Sequence, residues 1–188
     1  AYAILLPGEL TQYGQSVLAS ALFSSNVYFW LKSGYFDAPA ESQPLLHTWS
    51  LAVEEQFYVV YPLLLIGLIR LLPKSFRGAL ILLLLVSFTL NLHLTWRFPD
   101  AAFYLAPGRM WELLLGALLA LGCNVSVRTR WLRELSSLTG LVLIAWSVCL
   151  FDKNTQFPGA AAVLPCMGTV LIINAGIGST TITNRFLS

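Results

Sequence analysis

Long stretches without a charged residue constrain this chain more than any other feature. The runs at 10–31, 78–96, 135–151 and 154–184 contain no Asp, Glu, Lys or Arg. A helix that crosses a bilayer needs about 20 mostly apolar residues. Only 11% of the 188 residues are charged, whereas a typical soluble domain has about 25% charged residues. The chain is therefore predicted to be an integral membrane protein.

The hydropathy pattern predicts an all-α, polytopic transmembrane helix bundle with about six spans in one domain. The predicted spans lie near 15–31, 48–70, 78–96, 101–122, 135–151 and 159–176. The connection at 33–47 contains Gly, Pro and Ser and is predicted to be an ordered loop. Because the chain has no initiator Met and ends soon after an apolar run, we expect it to be a fragment of a longer protein.

The basic residues divide unequally between the two sets of loops. One set carries seven: Arg70, Lys74, Arg77, Arg128, Arg130, Arg133 and Arg185. The other set carries three: Lys32, Arg97 and Lys153. Basic residues accumulate in cytoplasmic loops. This rule predicts that loops 70–77 and 123–134 lie inside and that loop 33–47 lies outside.

Two of the predicted spans contain ionisable side chains. Glu54 and Glu55 lie in the second span, and Arg109 and Glu112 lie in the fourth. Each such residue costs about 2.5–3.5 kcal/mol on insertion scales unless it finds a partner or water. Four at one depth suggest a shared polar cavity. The alternatives are a buried ion pair that fixes helix packing, or glutamates that simply reach the solvated interface.

Helical spacing arranges the polar residues of the second span in one stripe. Residues three or four apart share a helix face, which aligns His47, Ser50, Glu54, Tyr58 and Tyr61. Such a stripe is compatible with acid–base chemistry on a hydroxyl substrate, with transport of a polar substrate or with a proton relay. Spacing alone leaves these open.

The fourth span has a stripe of its own. Arg109, Glu112 and Gly116 follow the same rule, and Gly116 is expected to let another helix approach closely. Glu55 lies about 100° round from Glu54 and is expected to serve a different partner. Glu54 and Arg109 differ by only ~3 Å in depth at 1.5 Å per residue. We therefore predict that both border one cavity.

Two further classes of partner are not indicated by the sequence. The cysteines at 123, 149 and 166 are isolated and only two histidines occur, so no metal site is expected. No basic tract suggests binding to nucleic acid.

Three segments of the sequence are similar to one family of membrane enzymes. The segments are "SNVYFWLKSGYFD", "YFDAPAESQPLLHTWSLAVEEQFYVVYPLLL" and "FYLAPGRMWELLLGALLAL". In this order they resemble the acyltransferase-3 family, the O-antigen and polysaccharide O-acetylating enzymes. The resemblance covers most of 9–122.

The resemblance implies a bacterial inner-membrane domain of roughly ten helices with a defined reaction. An acyl group, usually acetyl, moves from acetyl-CoA or another acyl-CoA onto a hydroxyl of a cell-envelope carbohydrate such as lipopolysaccharide O-antigen. The catalytic residues implied are Ser50, Glu54 and Arg109. Beside these, we predict that His47, Trp49, Glu55, Tyr58 and Glu112 bind substrate, with Glu112 either paired with Arg109 or structural. The resemblance also implies that the protein contacts membrane lipid. Members with similar motifs carry a C-terminal SGNH-type hydrolase domain as well.

The family's catalytic histidine, on its first helix, has no counterpart in this sequence, so this chain alone is expected to be inactive. The rival hypothesis is a secondary transporter whose intramembrane carboxylates bind protons or cations. It predicts Gly/Pro-broken helices in repeated halves, a pattern that we do not find. A structural membrane subunit would need no intramembrane charge.

Overall fold

The computed structural model describes residues 7–33, 43–123, 129–152 and 155–177. Within these ranges every regular element is a helix. The helices are α1 (Pro7–Ala21), α2 (Ser25–Lys32), α3 (Thr48–Leu71), α4 (Phe76–Arg97), α5 (Pro99–Tyr104), α6 (Ala106–Ala120), α7 (Arg130–Leu150) and α8 (Val163–Gly176). The predicted all-α fold class is confirmed.

Three helices of the described part, α3, α4 and α7, are long and apolar enough to cross a bilayer. The fourth apolar helix, α8, is shorter, with 14 residues. Large apolar side chains point away from the bundle, among them Leu63 at 69%, Leu82 at 62% and Val148 at 77% exposure. Such a surface suits lipid rather than water. The molecule is a helical membrane bundle.

The first and fourth predicted spans are each divided into two helices. The first breaks between α1 and α2, where Phe23 has a positive φ of 52°. The fourth breaks at Leu105, whose extended backbone (φ −85°, ψ 131°) separates α5 from α6. Pro107 lies in the first turn of α6, a position that tolerates proline because that turn has no partner for its N–H groups.

A network of side-chain amides ties the α1–α2 break to the rest of the bundle. The Gln56 side chain on α3 donates to the carbonyl of Phe23 at 2.8 Å and to Oδ1 of Asn26 at 2.9 Å. Asn26, 1% exposed, donates in turn to the carbonyl of Tyr104 at 3.2 Å. Carbonyls that the broken helices leave free are thus paired within the protein, as hydrocarbon surroundings require.

The central packing joins α3, α4 and α6. Its buried apolar cluster consists of Phe57, Leu80, Leu114 and Leu118. This cluster lies directly below the charged residues of α3 and α6 and fixes the two helices relative to each other. In water, burying each of these side chains would stabilise the contact by roughly 1.5–3 kcal/mol. In lipid, where apolar surface is not driven from the solvent, close packing of the side chains stabilises the contact instead.

Close backbone approach occurs between α7 and α8, not at Gly116. A Cβ built on Gly140 would lie 2.5 Å from the Gly168 carbonyl oxygen, and one built on Gly168 would lie 2.7 Å from the Gly140 oxygen. Within the described ranges, a Cβ on Gly116 would meet nothing within 4 Å. The expectation for Gly116 is therefore wrong: its face of α6 borders an open pocket instead of a helix backbone.

The structure describes the loops predicted at 123–134 and 33–47 only in part. Helix α7 begins at Arg130, so the helix takes up part of the loop predicted at 123–134. Most of the loop predicted at 33–47 lies outside the described residues.

Candidate active site

A small pocket between α3 and α6 brings the predicted charged residues together. Its volume is about 70 Å³. Its lining consists of Trp49, Ser50, Val53, Glu54, Arg109, Glu112 and Leu113. The second and fourth predicted spans thus border one cavity, as the depth argument predicted.

The first two turns of α3 supply one wall of this pocket. Ser50 and Glu54 are four residues apart and therefore lie one above the other on the same face. Val53, which also lines the pocket, and its neighbour Ala52 are buried at 5% and 2% exposure and anchor the helix. The Ser50 hydroxyl donates to the carbonyl of His47 at 3.2 Å, which leaves its oxygen able to accept a hydrogen bond.

Glu54 is half-buried and faces the pocket without a bonded partner among the described residues. Within the described residues Glu54 forms no ion pair with Arg109, which pairs with Glu112 instead. A carboxylate at this depth is costly unless a polar group meets it. The pocket in front of Glu54 is the place where such a group can bind.

Arg109 supplies the opposite charge from α6. Its Nη2 donates to Oε2 of Glu112 at 2.9 Å, and the two side chains are 15% and 20% exposed. Its Nη1 lies 3.5 Å from the carbonyl of Phe103. An arginine has five N–H donors, so the guanidinium keeps donors for a ligand while Glu112 holds it in place.

Three aromatic rings surround the Arg109 guanidinium. Its central carbon lies 4.9 Å from the ring centre of Trp49, 5.9 Å from that of Phe103 and 6.0 Å from that of Phe157. Trp49 also packs on Phe103, with ring centres 4.5 Å apart. Cation–π contacts contribute about 0.5–2 kcal/mol each. The rings therefore restrict the guanidinium and exclude water from one side of it.

Glu112 belongs to a second pocket as well. That pocket, about 220 Å³, lies between α6 and α8 and includes Gly116, Cys166 and Thr169. The Oε1 atom of Glu112 is buried and has no hydrogen-bond partner. Glu112 thus offers one carboxylate oxygen to Arg109 and leaves the other unused.

Several predicted site residues lie outside the pocket lining. His47 is exposed and directly precedes α3. Tyr58 is 59% exposed. Tyr61 stacks on Phe57, with ring centres 4.9 Å apart, below the pocket. Glu55 is half-buried on the neighbouring face of α3. The predicted stripe therefore contributes Ser50 and Glu54 to the pocket, and the roles of the other residues stay predictions.

The sequence patterns missed the aromatic and apolar members of the site. Val53 and Leu113 complete the lining, and Phe103 and Phe157 face Arg109. Phe103 stands in a segment that the sequence already marked, "FYLAPGRMWE". Phe157 precedes α8 in a stretch without any recognisable signal, so only the tertiary fold reveals it.

The pocket of about 70 Å³ is lined by the unpaired carboxylate of Glu54 and by the guanidinium of Arg109. A carboxylate accepts hydrogen bonds from a hydroxyl. A guanidinium donates to an oxygen on which negative charge develops. The arrangement therefore suits a neutral, hydroxyl-bearing ligand that reacts at an adjacent carbonyl.

Sequence comparisons agree with this chemistry. Residues 4–186 match the profile of the family described as "Acyltransferase domain". An uncharacterized protein of Haemophilus influenzae is 34% identical over 190 residues, which cover 93% of this chain and 76% of that protein. A Bacillus subtilis protein named "Putative peptidoglycan O-acetyltransferase YrhL" is 33% identical over 126 residues, 64% of this chain and 20% of that protein.

The Staphylococcus aureus O-acetyltransferase OatA is 25% identical over 197 residues, 98% of this chain and 32% of that protein. This chain therefore spans about a third or less of the length of the two named acetyltransferases. No solved structure matches the chain.

Proposed function

This chain belongs to the acyltransferase domain family, and on that premise we propose that the complete protein transfers an acyl group to a carbohydrate hydroxyl in the pocket between α3 and α6. The observation that carries the proposal is the unpaired Glu54 carboxylate, which faces the same 70 Å³ space as Arg109. An ion pair with a purely structural role would join the two. The gap between them leaves room for reacting groups.

Glu54 and Ser50 bind the acceptor side of the reaction. The carboxylate of Glu54 accepts the hydrogen bond of the acceptor hydroxyl, or of a partner base outside this chain, and increases the nucleophilicity of the oxygen. Ser50, one turn earlier, orients the same group. The hydroxyl oxygen forms the new ester bond, the acyl–donor bond breaks, and the proton ends on the departing group.

Arg109 acts on the acyl side. Negative charge develops on the acyl oxygen as the hydroxyl attacks, and a preorganised donor at that point stabilises the transition state by about 3–4 kcal/mol. Glu112 and the rings of Trp49, Phe103 and Phe157 hold the guanidinium before the substrates bind. A guanidinium fixed in advance costs no reorganisation during the reaction.

The donor proposed is acetyl-CoA or another acyl-CoA, as the family resemblance implies. The size of the pocket fits one end of such a molecule. The pocket, about 70 Å³, has room for an acetyl group, and we propose that the nucleotide part of the donor binds beyond it.

The acceptor proposed is a cell-envelope carbohydrate, either lipopolysaccharide O-antigen or peptidoglycan. The name of the Bacillus subtilis relative supports peptidoglycan. The proposed location is the bacterial inner membrane, with loop 33–47 outside and loops 70–77 and 123–134 inside, which the distribution of basic residues supports. In that orientation the pocket lies in the outer half of the membrane.

A substitution at Glu54 tests the proposal. In the complete protein, Glu54→Gln keeps the shape of the side chain and removes its charge, and should lower acyl transfer at least ~100-fold. O-acetyl release from purified lipopolysaccharide and peptidoglycan, measured after mild alkali, provides the assay. The matched control is Asp100→Asn, which removes an exposed carboxylate on α5 outside the pocket. Wild-type acetylation in the Glu54→Gln strain, at equal protein level, would refute the assignment.

A further inference from the structure

We propose that α4, which contributes no side chain to the pocket lining, positions Arg109 through two buried hydroxyl groups, those of Ser87 and Thr95. The inference rests on the proposed function, because it concerns how the guanidinium is held for the reaction. Ser87 acts on the helix that carries Arg109. Thr95 acts on the segment that covers Arg109.

Ser87 bridges two backbone groups of α6. Its hydroxyl donates to the carbonyl of Pro107 at 2.6 Å and accepts from the N–H of Trp111 at 3.0 Å. Ser87 is 7% exposed; its bond with Trp111 is buried and its bond with Pro107 is partly buried. A serine hydroxyl has one donor and can accept at the same time, which makes it suited to this double contact.

The two bridged groups are four residues apart in the helix. Helical hydrogen bonds link N–H of residue i to C=O of residue i−4, so Trp111 and Pro107 are partners in the ladder of α6. A side chain that inserts between such partners bends a helix locally. Arg109 lies midway between them. The direction in which Arg109 leaves α6 therefore depends on the contact with Ser87.

Thr95 makes the corresponding contact two turns further along α4. Its hydroxyl donates to the carbonyl of Asn91 at 2.8 Å and accepts from the N–H of Gly159 at 3.1 Å. Gly159 has φ +38°, and a Cβ there would lie 3.0 Å from Cγ2 of Thr95. The chain at Gly159 is thus seated against Thr95, in a conformation that favours glycine.

The segment held by Thr95 reaches Arg109 through Phe157. The Phe157 ring centre lies 6.0 Å from the guanidinium carbon, two residues before Gly159. Thr95 therefore fixes the segment before α8 that carries Phe157, one of the rings against Arg109. Ser87 fixes the backbone of α6 around Arg109. Both are positioning residues, since neither lines the space that the substrates occupy.

Two hydroxyl deletions in the complete protein test the proposal. Ser87→Ala and Thr95→Val should each lower kcat by roughly 10-fold to 100-fold, the scale expected when a catalytic group moves by about 1 Å. Protein level and thermal stability in detergent are measured alongside. The matched control is Ser147→Ala on α7. It removes an equally buried hydroxyl, 4% exposed, that bonds only to Leu143 of its own helix, and it should leave kcat unchanged.

A double-mutant cycle separates positioning from general stability. If Ser87 and Thr95 act through Arg109, their substitutions should change kcat less than ~2-fold in an Arg109→Lys background, because that background has already lost the fixed guanidinium. Equal fold-losses in both backgrounds would overturn the inference, and so would wild-type kcat in both single variants. If Ser87→Ala fails to accumulate, the Thr95→Val cycle decides alone. Full activity of Arg109→Ala would refute the proposed function itself, which is a separate result.

Discussion

Replacing Gly140 by alanine should destabilise the protein through the contact between α7 and α8. The new Cβ would lie 2.5 Å from the carbonyl oxygen of Gly168 and 2.8 Å from Cγ1 of Ile172. An ordinary contact needs about 3.5 Å or more, so the two helices must separate by almost 1 Å along this line. The backbone oxygen cannot move aside as a flexible side chain could.

The magnitude follows from two opposing effects. Overpacking a close contact costs about 1–3 kcal/mol, whereas alanine in a helix interior is favoured over glycine by about 1 kcal/mol. The net loss expected is about 0–2 kcal/mol relative to the wild type, and about 1–3 kcal/mol relative to the same substitution at a glycine without a close contact. The shift also moves the α8 side of the pocket that Glu112 shares with Cys166.

Thermal unfolding in detergent, followed by size-exclusion chromatography of heated samples, measures the effect. The matched control is Gly67→Ala, the same substitution inside α3, where a Cβ meets nothing within 4 Å among the described residues. Gly67→Ala should be neutral or slightly stabilising. The reasoning would be refuted if Gly140→Ala melted at or above the temperature of Gly67→Ala.

Two further predictions concern the aromatic contacts of Arg109 and the orientation in the membrane. Trp49→Leu should lower acyl transfer by up to about 30-fold, while Trp49→Phe should retain more activity, because a cation–π contact is worth about 0.5–2 kcal/mol; equal activity of the two variants would contradict this role of the ring. In a cysteine-free background, a cysteine within 33–47 should react with an impermeant thiol reagent from outside and one within 128–133 only after permeabilisation, and the reverse pattern would overturn the predicted orientation.

The charged residues of the site could be predicted from the sequence, because burying a charge in a membrane carries a large free-energy cost. Glu54, Arg109 and Glu112 stood out for that reason, and a simple rise per residue placed them at one depth. The structure brings all three to one pocket. Helical spacing also placed Ser50 with Glu54 correctly, since four residues make nearly one turn.

Spacing did not show which part of the stripe would line the pocket. Ser50, His47 and Tyr58 are all exposed, and of these three Ser50 lines the pocket, while the roles of His47 and Tyr58 stay predictions. Periodicity reports which residues share a face, and it does not report which part of that face meets another helix.

The breaks in the first and fourth spans also could not be predicted from the hydropathy pattern. Phe23 is followed by Ser24, Ser25 and Asn26, and Leu105 by Ala106, Pro107 and Gly108, but none of these residues is charged, so hydropathy alone ended neither span there. Only the hydrogen bonds of Gln56 and Asn26, made by residues far apart in sequence, show how these breaks are tolerated. Ser87, Thr95 and Phe157 escaped notice for the same reason, since their significance lies entirely in tertiary contacts.

Glu112 connects two spaces that otherwise have different walls. One of its oxygens holds Arg109 at 2.9 Å, the other is buried without a partner, and the residue also lines the pocket that α6 forms with α8. A hydrogen-bond donor bound to the second oxygen would draw electron density from the carboxylate and weaken its hold on the guanidinium. Thermodynamic linkage is reciprocal, so a ligand that engages Arg109 would change the affinity for such a donor by the same factor.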